Sequence, residues 1–326
     1  MAVSTLFWRS QLERLWNDSA QQPFRERVGC LVHSSREMWR RHASASASPP
    51  VGEGTGENDK LTVILLNHKR PENVGLVAQY SLRANFVGKL IVSNNSQSYP
   101  IARYVPFKDS RLLLIDQDKP AGVGIRFEIA KNHPARYYLC LDDDVFLHPA
   151  QLQWLYWNLR QADDRPHGIF GAIRSPIAKA GDPWPFVHRR NHTGPVEILN
   201  GVFAFTAAQL AEFHRLCPLL GIDDPKSLMN GEDIVLSFSG DRKPMIHNIG
   251  AIWECASASS PGVAMHMSRP KFYEERWRIY SELRRIKPLI DDESPRRFEL
   301  PANSDERLKP LSTERPVQEP RGSIPE

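Results

Sequence analysis

Along the chain, apolar residues fall in short runs separated by polar punctuation, and the runs alternate between two periods. LTVILLN, Leu61–Asn67, is an almost continuous apolar run, the pattern of a strand covered on both faces of a parallel sheet. Pro71, Glu72 and Asn73 then open a helical period through Leu76, Val77, Tyr80 and Leu82. KLIVSNNS supplies a second strand over 89–92, and RLLLID a third ending at Asp116. A helix is predicted over 125–131 and a strand over 137–141. This β-α-β alternation predicts an α/β fold of Rossmann-like type, with a mostly parallel sheet flanked by helices in one domain.

Pro149 starts a helix carrying Leu152, Trp154, Leu155, Trp157 and Leu159, read as core, and GIFGAI follows as a strand. Residues 174–195, rich in Pro, His, Arg and Gly, have neither period and are expected to be a long irregular loop of functional importance. Then come a strand (EILNGVFAFT), a helix over 207–216, a helix opening at Gly231-Glu232-Asp233 with Asn230 as its N-cap, and a strand (IGAIWE). A final amphipathic helix is expected over 269–287, with Tyr273, Trp277, Tyr280 and Leu283 on one face and Ser268 as its cap. Outside this domain, 60–287, the pattern predicts a helical N-terminal extension over 1–42 and a Gly/Pro/Ser-rich linker over 43–59. A disordered Pro-rich tail is expected over 288–326.

Composition narrows the class. Lys and Arg number 42 against 38 Asp and Glu, a mixed balance that gives no footprint for nucleic acid. No apolar run is long enough to cross a bilayer, which leaves peripheral association as the form any membrane contact would take. The N-terminus has no apolar stretch of signal-peptide type. The four cysteines, Cys30, Cys140, Cys217 and Cys255, lack CxxC spacing, and a reducing, cytoplasmic compartment is expected.

The chemistry concentrates at strand ends. The 137–141 strand delivers Asp142, Asp143 and Asp144 in succession, at the strand edge where open α/β sheets bind ligands. Adjacent carboxylates at a core boundary repel one another and are costly to desolvate unless a cation neutralises them. An all-oxygen set suits Mg2+ or Mn2+, which would in turn hold a phosphate. NHKRPEN ends the first strand and SNNS the second. Asn67, Asn94 and Asn95 there offer the donor and acceptor that a uracil edge requires, although Asn at a strand end also caps turns. GVGIR, residues 122–126, places two glycines before a helix, so that backbone can approach a ligand and Arg126 can meet a phosphate or sugar. Glu232 and Asp233 suit either a helix start or a site that orients or deprotonates an acceptor hydroxyl. His266, just ahead of the last helix, is a candidate further metal ligand.

In this order, the motifs resemble a GT-A fold glycosyltransferase, in particular the exostosin-like group of nucleotide-sugar transferases, over roughly 61–287. Bacterial capsule-type transferases with an Asp-Asp-Asp strand are similar too. LLNHKR resembles the group's first-strand motif, which implies that Arg70 contacts the nucleotide, and IVSNN implies the same of Asn94 and Asn95. Arg126 stands where the group has a donor-contacting Arg. LCLDDDVFL resembles its metal motif, implying Asp144 as metal ligand and Asp142 and Asp143 in ribose, sugar and supporting roles. ILNGVFAF implies Gly201 beside the sugar, GEDIVLSF implies Asp233 near donor and acceptor, and SSPGVAMH resembles a segment ending in Trp-His. Gly231 replaces a Cys found in luminal members, in keeping with a cytoplasmic location. An Asn that accompanies the donor Arg is missing.

The expected activity is metal-dependent transfer of a sugar from a UDP-sugar to a glycan or other hydroxyl acceptor. Mn2+ or Mg2+ would sit on Asp144 and His266, and Asp233 and Glu232 would be the catalytic carboxylates. The resemblance suggests a UDP-N-acetylhexosamine donor. His188, Arg189, Arg190 and His192 are candidates for the acceptor side. If the enzyme inverts, Asp233 is the general base; if it retains, Asp233 or Glu232 positions the acceptor. Two other classes use similar residues, a metal-dependent phosphohydrolase or nuclease and a non-catalytic nucleotide-sugar-binding module.

Overall fold

The computed structural model describes residues 59–289 except 180, 251 and 256–264, together with Gly56 and the helical residues Phe24, Arg25, Val28 and Val32. The expected extension, linker and tail otherwise lie outside the described residues. The elements run β1 (Leu61–Asn67), α1 (Pro71–Leu82), β2 (Val87–Asn94), β3 (Leu112–Asp116), α2 (Ile125–Asn132), β4 (Tyr137–Asp142) and β5 (Val145–Phe146). They continue with α3 (Pro149–Gln161), β6 (His167–Arg174), β7 (Phe186–Arg189), β8 (Gly194–Pro195), β9 (Ile198–Thr206) and α4 (Ala207–Leu219). Last come α5 (Glu232–Ser237), β10 (Met245–Ile246), β11 (Trp253–Glu254), α6 (Met265–Ser268) and α7 (Phe272–Ile286).

The fold is mixed α/β. Among the described residues one sheet runs β3-β2-β1-β4-β9-β6-β10-β8, with β7 on β6. Strands β3, β2, β1 and β4 are mutually parallel, β9 is inserted antiparallel between β4 and β6, and β10 runs parallel to β6. Successive side chains of a strand point to opposite faces, and the apolar residues separate accordingly. Val63, Leu65, Leu139, Leu141, Val202 and Ala204 join α1 and α3 in one core. Ile64, Tyr138, Cys140, Phe203 and Phe205 join α2, α4, α5 and α7 in the other. Both faces of the sheet are covered, which is why β1 reads as an unbroken apolar run.

Several local expectations are corrected. The 174–195 segment is not wholly irregular: β7 returns antiparallel onto β6, and β8 pairs with β10. Among the described residues of IGAIWE, the strand pairing is confined to Trp253 and Glu254, which pair with β5. The last helix starts three residues later than expected, at Phe272, because Lys271 takes a left-handed conformation (φ 57°) as the N-cap of α7, and the separate short helix α6 precedes it. Ser268 therefore ends α6 and does not cap the long helix. At α5 the cap is Gly231 (φ 86°), a conformation in which glycine carries no Cβ penalty; Asn230 instead donates to the Phe272 carbonyl oxygen (2.9 Å). Among the described residues no helix is long and apolar enough to cross a membrane.

Candidate functional site

The C-terminal ends of β1, β2 and β4 open onto a cleft of about 630 Å³ whose lining includes Asn67, Arg70, Asn95, Arg126, Asp142, Asp143, Asp144, Gly201, Glu232, Asp233 and His266. Register explains the convergence: Leu66 pairs with Asp142 and Asn67 with Asn94, so the loops that leave these strands start side by side.

Within the triplet the three carboxylates have different surroundings. Asp143 points into the protein, where Oδ2 accepts from the His68 backbone N–H (2.6 Å) and Oδ1 from Arg70 Nη1 (2.8 Å). Its carbonyl oxygen accepts from Asn73 Nδ2 (2.8 Å). Burial pushes the Asp143 carboxyl up to about 6 against the pull of Arg70 and the His68 N–H. Asp142 accepts from Arg126 Nη2 (2.9 Å). Asp144 lies 3.2 Å from the Arg70 Nη1 already bonded to Asp143. Burial, followed by the charge on Asp142, lifts its carboxyl to about 7.

Arg126 is enclosed, with Nε donating to the Val123 carbonyl oxygen (3.2 Å) and its guanidinium 5.2 Å from the Phe203 ring. Burial disfavours its charge, but Asp142 and Glu232 more than restore it. Its Nη1 is buried with no hydrogen-bond partner among the described residues. On the α5 side, Asp233 is held in a fork by Arg276, Nη1 to Oδ1 and Nη2 to Oδ2, both 2.9 Å. The same guanidinium reaches Asn230 Oδ1 and Asn200 Oδ1, each at 3.2 Å. Among the described residues Glu232 has no such fork; Arg126 Nη2 lies 3.9 Å from it. Burial and then the neighbouring Asp233 charge raise the Glu232 carboxyl to about 7.

Other predicted residues are placed differently from expectation. Asn94 is fully buried, accepting from Asn67 Nδ2 (2.7 Å) and donating to Asp116 Oδ1 (2.7 Å) and the Tyr99 carbonyl oxygen (2.8 Å). It forms a polar ladder across three strand ends rather than a surface for a base. Asn95 lines the cleft, but its amide is latched to Ala121, accepting from the backbone N–H (2.7 Å) and donating to the carbonyl oxygen (2.5 Å). At both glycines of GVGIR the Cβ position faces protein, although Gly122 also lines the cleft. Gly122 and Gly124 donate to the carbonyl oxygens of Lys226 and Leu228, and a Cβ on either would collide with the 225–228 turn. Gly201 (φ 66°) does face the cleft, where a Cβ would meet Phe170 Cδ2 at 3.5 Å and Asp142 Oδ2 at 3.8 Å.

His266 lines the cleft and is largely exposed, and the partial loss of solvent on its protein side lowers its imidazole pKa. Among the described residues no group of three His, Cys, Asp or Glu side chains stands ready as a metal cage. His188, Arg189 and Arg190 also line the cleft, and Arg190 pairs with Glu254.

Arg276, Glu254, Trp184 and the Asn200–Asn230 pair were not anticipated. For Arg276 a signal did exist: it shares a helical face with Tyr273 and Tyr280, an arginine in an otherwise aromatic stripe.

No protein-family model and no curated protein matches the sequence. Among solved structures, the chain is similar to a crystal structure of GalNAc-T7 with UDP, GalNAc and Mn2+, at 9% identity and a TM-score of 0.43, covering 58% of this chain and 42% of that one. It is also similar to S. aureus TarS 1-349 in complex with UDP-GlcNAc, at 13% identity and TM-score 0.43, over 60% of this chain and 57% of that one. A third is CMP:2-keto-3-deoxy-manno-octonic acid synthetase complexed with CTP, at 13% identity and TM-score 0.33, over 48% and 78%. The chain spans less than two thirds of the first two, and likeness at this level carries no conclusion about activity.

Proposed function

We propose that residues 60–287 form a metal-dependent GT-A type glycosyltransferase of exostosin-like character, moving a sugar from a UDP-sugar to a glycan hydroxyl. A UDP-N-acetylhexosamine is the donor we favour, in a cytoplasmic setting. One observation carries the reading. Around the C-terminal ends of the parallel strands, three arginines hydrogen-bond three aspartates (Arg70 to Asp143, Arg126 to Asp142, Arg276 to Asp233), and Arg70 also lies 3.2 Å from Asp144. Asp144 and Glu232 are raised carboxyls that, among the described residues, share a guanidinium already bonded to a neighbouring aspartate.

Asp144 suits a divalent cation because Arg70, shared with Asp143, compensates its charge only in part, and its donor atoms are oxygens. His266 is the second protein ligand in this proposal. Bound there, Mn2+ or Mg2+ would stabilise the charge that develops on the leaving diphosphate. Arg126 offers to the donor the Nη1 that has no partner among the described residues, while its other nitrogens hold Asp142 and the Val123 carbonyl in place. Asp143 fixes Arg70 and the His68 backbone. Gly201 keeps clear the space in front of Asp142 where the sugar would lie. Asp233, both oxygens engaged, positions Arg276, whereas Glu232 is free to take the acceptor proton if the displacement inverts, or to orient the acceptor if it retains.

The test is Mn2+-dependent release of UDP from a panel of UDP-sugars, with and without glycan acceptors. Transfer should rise through about pH 7 as Glu232 ionises, and Glu232→Gln should remove that limb. Lack of UDP binding by the wild type in the presence of Mn2+ would sink the reading. Hydrolysis of simple phosphate esters without an acceptor would favour a phosphohydrolase.

A further inference from the structure

Part of the same cleft is lined by the aromatic rings of Trp184, Phe272 and Tyr273, a set the donor roles leave unused. Trp184 sits between Pro183 and Pro185, and two fixed φ angles limit what this stretch must lose on binding. The turn is tied by the Ser175 N–H to the Pro185 carbonyl oxygen (2.9 Å) and by the Lys179 N–H to Asp182 Oδ2 (2.7 Å). The indole packs against Phe186 (4.6 Å between centroids) and Tyr273 (5.7 Å), with the Arg276 guanidinium 5.1 Å from its ring. Its Nε1 is buried with no hydrogen-bond partner among the described residues. Buried indole N–H groups ordinarily find an acceptor, and this donor has none among the described residues. Asn200 and His188 also line the cleft, bringing polar groups to the same space.

We propose that Trp184, with Phe272 and Tyr273, forms an acceptor subsite for a pyranose ring: the rings cover its C–H face and Trp184 Nε1 donates to one of its oxygens. The mixture of aromatic faces and neutral polar groups matches a sugar, which presents one apolar face and a rim of hydroxyls. This assignment rests on the glycosyltransferase reading, because it gives the cleft a second ligand besides the nucleotide sugar. Trp184 then selects the acceptor rather than taking part in bond breaking.

The experiment is saturation-transfer NMR and calorimetry on the full chain with UDP and Mn2+ present. Lactose, cellobiose and N,N′-diacetylchitobiose serve as probes and uridine as a nucleobase control. At least one disaccharide is expected to bind with saturation reaching the C–H protons of one ring face. Trp184→Ala should weaken it tenfold or more, and Trp184→Phe, which retains a ring but loses the donor, about threefold. Tyr273→Ala provides a second probe should Trp184→Ala fail to fold, with an expected loss of several-fold. Equal binding by folded variants and wild type overturns the subsite, as does binding of none of the disaccharides while UDP binds, or displacement of the disaccharide by uridine. If UDP fails to bind but a disaccharide binds in a Trp184-dependent way, the subsite stands and the UDP-sugar reading falls.

Discussion

Replacing Asp144 with Asn should stabilise the metal-free protein while removing its response to metal. The Asp144 side chain is 18% exposed and shares one guanidinium nitrogen with Asp143. Its carboxyl is raised to about 7, by burial first and by the charge on Asp142 second, against an ordinary value near 4. A folded-state pKa above the unfolded one means that the native state binds the extra proton. Its contribution is therefore fully present below about pH 4 and is lost as pH rises through about 7. A shift of about three units at 1.36 kcal/mol each sets an upper bound of about 4 kcal/mol for ionised Asp144 at pH 8; relaxation of its surroundings brings the working figure to about 2–4 kcal/mol. For a domain of this size that is a rise in Tm of roughly 5–10 °C in Asp144→Asn. Thermal melts in EDTA at pH 8 and at pH 4 measure it: the variant should melt higher at pH 8, and the gap should close at pH 4. Mn2+ should then raise the wild-type Tm by mass action and leave the variant unmoved. A variant that melts at or below wild type at pH 8 in EDTA would refute the electrostatic account of the site.

Three further outcomes are expected. Arg276→Met leaves Asp233 buried without its fork and should cost about 3–5 kcal/mol in urea unfolding, most of which returns in Arg276→Met combined with Asp233→Leu; a double variant as unstable as the single one contradicts the pairing. Gly122→Ala should destabilise by about 1–3 kcal/mol or more because its Cβ collides with the Leu228 carbonyl, and a neutral result would show that the turn yields. His167 and His247 face each other at 2.8 Å in the core, and burial lowers His167 to about 4 and His247 well below its ordinary value. Here the unfolded state binds the extra proton, so stability is full above pH 6.5 and falls toward pH 4, by about 3 kcal/mol for His167 alone. His167→Phe should flatten that acid limb.

Parallel strands with both faces covered announce themselves in sequence, because burial on two sides leaves no polar alternation; β1, β2, β3 and β4 were legible for that reason, and so was the gathering of chemistry at their ends. The antiparallel β9 reads like its neighbours, since burial carries no information about direction. The short pairings β7, β8, β10 and β11 depend on partners distant in the chain and leave no period at all. At the site, the residue types were legible but their division of labour was not. Asn94 and Asn95 look alike in SNNS, yet one joins a ladder with Asn67 and Asp116 and the other latches Ala121. The glycines of GVGIR signal close approach, and only the fold shows that the approaching group is the 225–228 turn.

The arginines decide what each acid can do. A guanidinium fork occupies two lone pairs and fixes a carboxylate in place, so an aspartate bound that way serves as a strut. Asp233 is the clear case, with Arg276 on both oxygens, and Asp143 approaches it through Arg70 and the His68 N–H. Placing a base at Asp233 would require Arg276 to move away and leave a buried charge exposed to its neighbours, at a cost of several kcal/mol. Glu232 needs no such movement: its carboxyl is already raised to about 7 by burial and by the very charge that Arg276 holds on Asp233. The strut thus tunes the group beside it. Asp233→Asn should accordingly lower the Glu232 pKa and shift the ascending limb of the pH–rate profile to lower pH, and a limb that stays where it is in that variant would return the proton-accepting role to Asp233 or to a group outside this pair.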